Sequence, residues 1–315
     1  MPTYLALLAL IPLFYALGKG ADVLVENAQI ISKKLALPLF VVGLILGLMT
    51  SMPEIAVSIN SLFDDVPNLS VGNLMGGVLV IICCILGIGA IVNRSIHTDG
   101  KMRNILPLAG YLLTGILAGA DGSYRLYEGI ILFGLYPVMI YLLYRNQHSL
   151  PDFRLIFIRE SKIMIDLVKI IAGIAVVILA SHFIVDITVD LLHRFDIPPF
   201  LIGLLIFSLG TNLPELIITI KSWRKRASDL SISHLLGSAA TNIWVLGGIA
   251  LWTPITVVPR TSFFLAAGAI IVTLVLIVIF YRTGRKLSRL EGFILFGIYV
   301  LFLISQITFN TEYLP

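Results

Sequence analysis

Thr50-Ser51-Met52-Pro53-Glu54 and, 161 residues later, Thr211-Asn212-Leu213-Pro214-Glu215 decide how this chain folds. Each sets a proline and a carboxylate inside an apolar run, and the surroundings repeat in register: Gly76 aligns with Gly237 and Gly87 with Gly248. A second match, at an offset of 163, sets Glu128-Gly129-Ile130-Ile131-Leu132-Phe133-Gly134-Leu135-Tyr136 against Glu291-Gly292-Phe293-Ile294-Leu295-Phe296-Gly297-Ile298-Tyr299. Chance likeness between apolar segments is the plain alternative. Two matches that contain polar residues, at nearly one offset, argue instead for a tandem duplication.

The composition around these motifs places the duplication in a bilayer. Of 315 residues, 58% are hydrophobic and 13% charged, the mean hydropathy is +1.00, and a soluble domain carries about 25% charged residues. At roughly 30 residues per span and connection, the chain accommodates about ten spans. Apolar runs predict them near 4–28, 37–62, 69–92, 104–121, 126–144, 163–192, 199–222, 231–254, 262–281 and 291–310. The expected fold is an all-α integral membrane protein with ten transmembrane helices. Residues 1–145 form a first five-helix repeat, 146–162 a short cytoplasmic connecting loop, and 163–315 a second five-helix repeat. Because five is odd, the second copy threads the membrane in the opposite sense, the inverted-repeat design of secondary transporters, which lets two halves open to either side in turn. A channel needs no such exchange.

The same composition excludes other classes. The longest polar stretch, about Arg145 to Lys162, is too short to enclose a core, which leaves no soluble catalytic domain. There is no G-x-S-x-G element, no H-E-x-x-H pair and no aspartyl dyad, so an intramembrane hydrolase is disfavoured and no enzyme is expected. The net charge of +4 does not point to nucleic acid, because the basic residues sort by loop. Connections after odd-numbered spans hold 18 Lys and Arg, the other face only Arg125, Arg194 and Arg260, and Lys19 lies within the first span. This bias puts both termini on the non-cytoplasmic side of a multi-pass protein of the cell (inner or plasma) membrane. The start Met-Pro-Thr lacks a basic signal region, so the first segment is read as retained. Cys83 and Cys84 are adjacent in an apolar run and read as small core residues.

Glu54 and Glu215 carry the chemistry. A charged side chain in mid-span costs about 2.5–3.5 kcal/mol on insertion scales, so something must offset it. The preceding prolines remove a backbone donor and free nearby carbonyls. Thr50 and Thr211 each stand four residues before the acid, on the same helical face. Two such faces at a repeat axis offer carboxylate, hydroxyl and carbonyl oxygens, the ligands of hard cations such as Ca2+ or Na+, and two carboxylates balance one divalent ion. A lone, protonated, hydrogen-bonded Glu in each half is the alternative. Gly72, Gly76, Gly77 and Gly237 let a neighbouring backbone approach, and Ser238 and Asn242, four apart, add oxygens to the second half.

On these residues the chain resembles the sodium/calcium exchanger family of the calcium/cation antiporter superfamily. The motifs are Met49-Thr50-Ser51-Met52-Pro53-Glu54, Val71-Gly72-Asn73-Leu74-Met75-Gly76, Leu209-Gly210-Thr211-Asn212-Leu213-Pro214-Glu215 and Gly237-Ser238. The resemblance covers essentially the whole chain and is similar to the prokaryotic members in its short central loop. It implies electrogenic exchange of Na+ for Ca2+ by alternating access, with the first and sixth spans moving against a core that holds both motifs. It further implies Ca2+ on Glu54, Glu215, Thr50 and Thr211, with Ser51, Asn212, Ser238 and Asn242 as Na+ or accessory ligands. The family's G-T-S opens here with Met49, its G-S with an Asn or Asp one turn later becomes Gly76-Gly77 with Ile81, and Ser233-His234 replaces Gly-Asn. Oxygens are therefore missing from the first half.

An H+-coupled, or other cation-coupled, Ca2+ antiporter is accordingly the alternative to Na+ coupling, and an ion-binding scaffold that transports nothing is a more distant one. Ca2+ and monovalent cations are the expected partners, as cargo and not as cofactors, alongside the lipid bilayer; a monomer is the expected working unit. Asp22 and Glu26, and Asp186 and Asp190, share helical faces and either line an approach to the site or are solvated and paired. His182 and His234 are either proton carriers or satisfied histidines. Tyr124, Tyr127, Trp223 and Trp252 read as interface anchors.

Overall fold

The computed structural model describes residues 3–34, 48–97, 102–145, 162–195, 197–213, 215–216, 219, 228–284 and 286–310. The opening of the second expected span, Pro214 and residues 146–161 of the connecting loop lie outside the described residues. In chain order the elements are α1 (Thr3–Lys34), α2 (Met52–Phe63) and α3 (Pro67–Leu79), which runs through a π-helical turn at Val80–Ile85 into α4 (Leu86–Asn93). There follow β1 (Ser95–His97), α5 (Met102–Ala118), β2 (Ser123–Tyr124), α6 (Leu126–Arg145) and α7 (Lys162–Phe195). The second half continues with α8 (Pro199–Ile202), a π turn at Gly203–Phe207, α9 (Ser208–Thr211), α10 (Ser228–Trp252), β3 (Ile255–Thr256), α11 (Arg260–Gly284), β4 (Lys286–Ser288) and α12 (Arg289–Phe309).

Seven of the described helices are long and apolar enough to cross a membrane, and 105–118 and 199–211 are shorter apolar segments. Burial divides them. The span 67–93 is 78% buried and 234–252 is 72% buried, against 33% for 4–24 and 22% for 126–143. The first two are therefore the centre of the molecule, and the others turn apolar side chains such as Leu8, Ile11, Ile130 and Ile171 outward. In a helix that meets lipid, that exposure needs no partner.

Close backbone approach builds this centre. Gly72 on α3 stands against the Phe200 carbonyl, and Gly203 stands against the Leu69 carbonyl, so that a Cβ at either position would collide with main chain. Pro67 and Pro199 lie in the first turns of their helices, where the missing N–H is no loss. The long helices α1 and α7 lie along one another at the edge. They meet the centre through an edge-on contact of Phe14 with Phe207, ring centroids 5.7 Å apart, and a 2.7 Å hydrogen bond from Asn60 Nδ2 on α2 to Ser181 Oγ on α7.

The all-helical expectation needs one amendment: among the described residues, four short strands form two antiparallel ribbons. β1 pairs with β4, Ser95 opposite Ser288, and β2 with β3, Ser123 opposite Thr256. Each ribbon joins one strand from the chain's first half to one from its second. Ribbon pairing satisfies the backbone donors and acceptors of interhelical turns. The expected span 104–121 also ends sooner, at Ala118, where the chain turns through Gly122 with φ +83°.

Candidate cation site

The helix opening at residue 48 breaks at Ser51, whose φ −83° and ψ 6° are not helical, and Pro53 in the first turn of α2 restarts it. Asn212, its counterpart at the 161 offset, ends α9 with φ −87° and ψ 10°. The two breaks share one backbone geometry, the sparsely populated bridge region common at functional residues. Each presents an acid three residues later.

Glu54 and Glu215 are buried, as are Thr50, Ser51, Thr211, Asn212, Ser238 and Asn242. The two carboxylates lie near enough to interact electrostatically. The threonines cross over: Thr211 lies beside the Glu54 carboxylate and Thr50 beside that of Glu215. The i, i+4 spacing had put each threonine with its own glutamate. Breaking the helix between them turns each hydroxyl towards the opposite motif instead. Ser238 Oγ donates to Glu215 Oε1 at 2.9 Å and lies 3.3 Å from Ser51 Oγ, linking the two motifs through α10.

Asn73 on α3 joins the cluster, although only the motif around it drew notice in the sequence. Its Oδ1 accepts the Thr211 hydroxyl proton at 3.1 Å. With that proton engaged, the Thr211 oxygen offers lone pairs and not a hydrogen to the rest of the cluster. Asn212 Nδ2 donates to the Ser208 carbonyl at 2.8 Å, and Asn242 Nδ2 reaches towards the Leu74 carbonyl at 3.5 Å. Among the described residues, Glu54 Oε1 and Oε2, Glu215 Oε2, Asn212 Oδ1 and Asn242 Oδ1 are buried oxygens with no hydrogen-bond donor. Buried acceptors without donors are expensive, and a bound cation would satisfy them. Their chemistry, all oxygen and two of the groups carboxylates, suits a hard cation.

Lys19 Nζ is 3.5 Å from Asp22, Arg194 pairs with Asp190 at 2.8 Å on an exposed face, and Glu26, His182 and Asp186 are exposed. His234 is buried with neither ring nitrogen hydrogen-bonded. Cys83 Sγ contacts Thr273 Oγ1 at 3.0 Å. Ile81 is wholly buried in the π turn.

A multi-pass membrane protein with broken helices converging on buried acids belongs to the class of polytopic ion-handling proteins. Residues 5–145 and 165–308 match the family model described as sodium/calcium exchanger protein, and the chain belongs to that family. It is 25% identical over 335 residues to the sodium/calcium exchanger MaX1 of Methanosarcina acetivorans, covering 91% of this chain and 94% of that one. Among solved structures, the sodium-calcium exchanger NCX_Mj superposes with a TM-score of 0.70 at 21% identity, over 95% of this chain and 98% of that one. The H+/Ca2+ exchanger CAX superposes with a TM-score of 0.77 at 16% identity, over 96% and 82%. These two likenesses bear on fold alone. The relatives named are transporters and not enzymes.

Proposed function

We propose that this protein is a secondary active transporter that exchanges Ca2+ for Na+ by alternating access, with Ca2+ held between Glu54 and Glu215. The observation that carries this reading is the pair of buried carboxylates within electrostatic reach of one another, three of whose oxygens have no donor among the described residues. Thr50 and Thr211 complete the Ca2+ shell from opposite motifs, and Ser51, Asn212, Ser238 and Asn242 serve the monovalent ion or hold the acids in place. The chain threads the bilayer ten times as two inverted five-helix repeats. Matching backbone breaks at Ser51 and Asn212, and ribbons that each join the two halves, favour that arrangement. Both termini lie outside the cytoplasm, on the positive-inside argument, and the monomer is the working unit.

A second reading, H+ in place of Na+, is favoured by one observation: Gly77 and the buried Ile81 supply no side-chain oxygen to the first half. Radioactive Ca2+ uptake into proteoliposomes under separate Na+, K+ and H+ gradients decides between them. Na+-driven uptake that is abolished in Glu54→Gln and in Glu215→Gln is the expected result. Uptake indifferent to Na+ but driven by H+ selects the second reading. Ca2+ binding without flux under any gradient makes the protein a scaffold and removes the exchange reading.

A further inference from the structure

Away from the carboxylates, at the face where the basic loops gather, the ribbon of β1 and β4 joins the two halves. The helices that lead into it meet closely. A Cβ on Gly87 of α4 would lie 3.1 Å from the Gly292 carbonyl oxygen, and one on Gly292 of α12 would lie 2.8 Å from that of Gly87. The antiparallel register pairs Ser95 with Ser288 and His97 with Lys286. Arg94 comes just before Ser95 and Arg289 just after Ser288, so the two arginines stand at the same end of the ribbon, one from each half. Both are exposed, as are Lys286 on β4 and Arg282 in the last turn of α11, which packs on β4.

These four positive side chains gather without a counter-charge. Among the described residues none of them is in an ion pair. The adjoining acid, Glu291, is turned back on the start of α12, where its carboxylate accepts from the Ser288 amide at 2.6 Å and from the Ser288 hydroxyl at 2.8 Å. Like charges at neighbouring positions across a ribbon repel. Arg94 is moreover held there by a left-handed backbone, φ +61°, which favours glycine. A side chain kept in such a conformation beside like charge points to a use for it. The surface next to the arginines is apolar: Val92 is 70% exposed and Leu290 71%, and the Arg289 guanidinium lies 5.6 Å over the ring of the half-exposed Phe293. Basic groups directly beside exposed apolar ones mark the level where acyl chains give way to headgroups.

We propose that Arg94 and Arg289 together hold the phosphodiester of one anionic glycerophospholipid, of the phosphatidylglycerol kind, whose acyl chains lie along Val92, Leu290 and Phe293. Guanidinium forks match phosphate oxygens, and basic groups between membrane helices at the cytoplasmic surface are the chemistry that takes anionic headgroups. A free phosphate would gain nothing from the apolar side chains. With one arginine from each half, the headgroup clips α4 to α12 at this end of the molecule. The site lies at the membrane surface and stands whichever ions the centre carries.

The test is titration of the purified full chain in detergent with phosphatidylglycerol, read by native mass spectrometry as lipid retained per chain, beside phosphatidylcholine and inorganic phosphate. Saturable binding of one phosphatidylglycerol, well ahead of phosphatidylcholine, is the expected result. Replacing both arginines, Arg94→Ala with Arg289→Ala, should weaken it about 30-fold, roughly fivefold for each basic group. Arg145→Ala, which removes an exposed charge at the end of α6, should leave it unchanged. Arg94→Gly suits the left-handed backbone and removes the guanidinium, so it should melt no lower than wild type without lipid and bind phosphatidylglycerol about fivefold more weakly. That variant decides the matter even if the alanine pair does not fold. Equal affinity in Arg94→Gly and wild type, an equal loss in Arg145→Ala, or phosphatidylcholine binding as tightly as phosphatidylglycerol overturns the proposal. Inorganic phosphate that binds as tightly as the lipid assigns the corner to a free anion and overturns it too.

Discussion

Asn73 makes no hydrogen bond to either carboxylate among the described residues, yet it fixes the direction of the Thr211 hydroxyl by taking its proton. In the proposed site Thr211 turns its lone pairs to the cation only while that proton is engaged. Asn73→Ala is therefore expected to weaken Ca2+ binding about three- to tenfold, the worth of one oriented hydrogen bond, and to add nothing further in a Thr211→Val background, as isothermal titration of the single and double variants would read. Equal additional loss in that background would show that Asn73 acts elsewhere. Outside the bilayer, the exposed Asp121 accepts from the Ser123 amide and hydroxyl at 2.8 Å, and this holds its carboxyl below the ordinary aspartate value. Its stabilisation is present above the unfolded aspartate pKa and is lost as pH falls through the lowered folded value. Thermal melts in detergent should show Asp121→Asn melting slightly below wild type at neutral pH and converging with it in acid. The glutamates were legible in the sequence because the duplication exposes them twice. The crossed Thr–Glu contacts were not, since they depend on how two broken helices meet and not on spacing within either.

At the level of the elements, the most demanding contact is the one between α3 and the α8 segment, where Gly72 and Gly203 each admit the backbone of the other helical segment. An added methyl has no flexible neighbour to displace. Gly72→Ala or Gly203→Ala should lower the melting temperature by many degrees or prevent recovery of folded protein. Gly110→Ala, on α5 with no atom within 4 Å of an added Cβ, should be neutral; fluorescence-detected size-exclusion after heating compares the three. Similar losses at all three positions would mean that helix–helix distance is not the cause. The Gly-rich character of α3 was readable as a close-packing signal, and the ends of most described helices follow their apolar runs. The π turn at 80–85 was not readable, because Val-Ile-Ile-Cys-Cys-Ile has no side chain that distinguishes five-residue from four-residue hydrogen bonding. The ribbons were missed for a related reason: strands of two or three residues carry no alternation to detect.

For the molecule as a whole, the proposed alternating access, carried as the family resemblance implies by α1 and α7 against the central helices, makes a mechanical demand on one boundary, and the described contacts make that boundary unlike the centre. Within the centre, backbone meets backbone at Gly72 and Gly203. Along the edge, α7 packs on α2 and α1 through small and branched apolar side chains, Ala56 and Val57 among Val177, Ala180 and Ile184, with the Asn60–Ser181 hydrogen bond beside them, and α1 meets the segment after α8 through the rings of Phe14 and Phe207. These are contacts between side chains and not between backbones; an aromatic pair or a neutral hydrogen bond is worth about 1 kcal/mol, and apolar packing is non-directional, so each can be exchanged for an equivalent as the helices slide. The boundary can therefore be locked without disturbing the acids. Replacing Asn60 and Ser181 with cysteines, whose parent polar atoms lie 2.7 Å apart, should allow a disulfide on oxidation. Cys83 is buried and Cys84 only partly so, so Cys84→Ala in the same background removes the more accessible competing thiol. The oxidised pair is expected to lose at least tenfold in Ca2+ exchange rate, to regain it with reductant, and to keep its Ca2+ affinity throughout. Unimpeded exchange in the fully cross-linked protein would mean that α7 does not move relative to α2 and that access alternates along some other boundary.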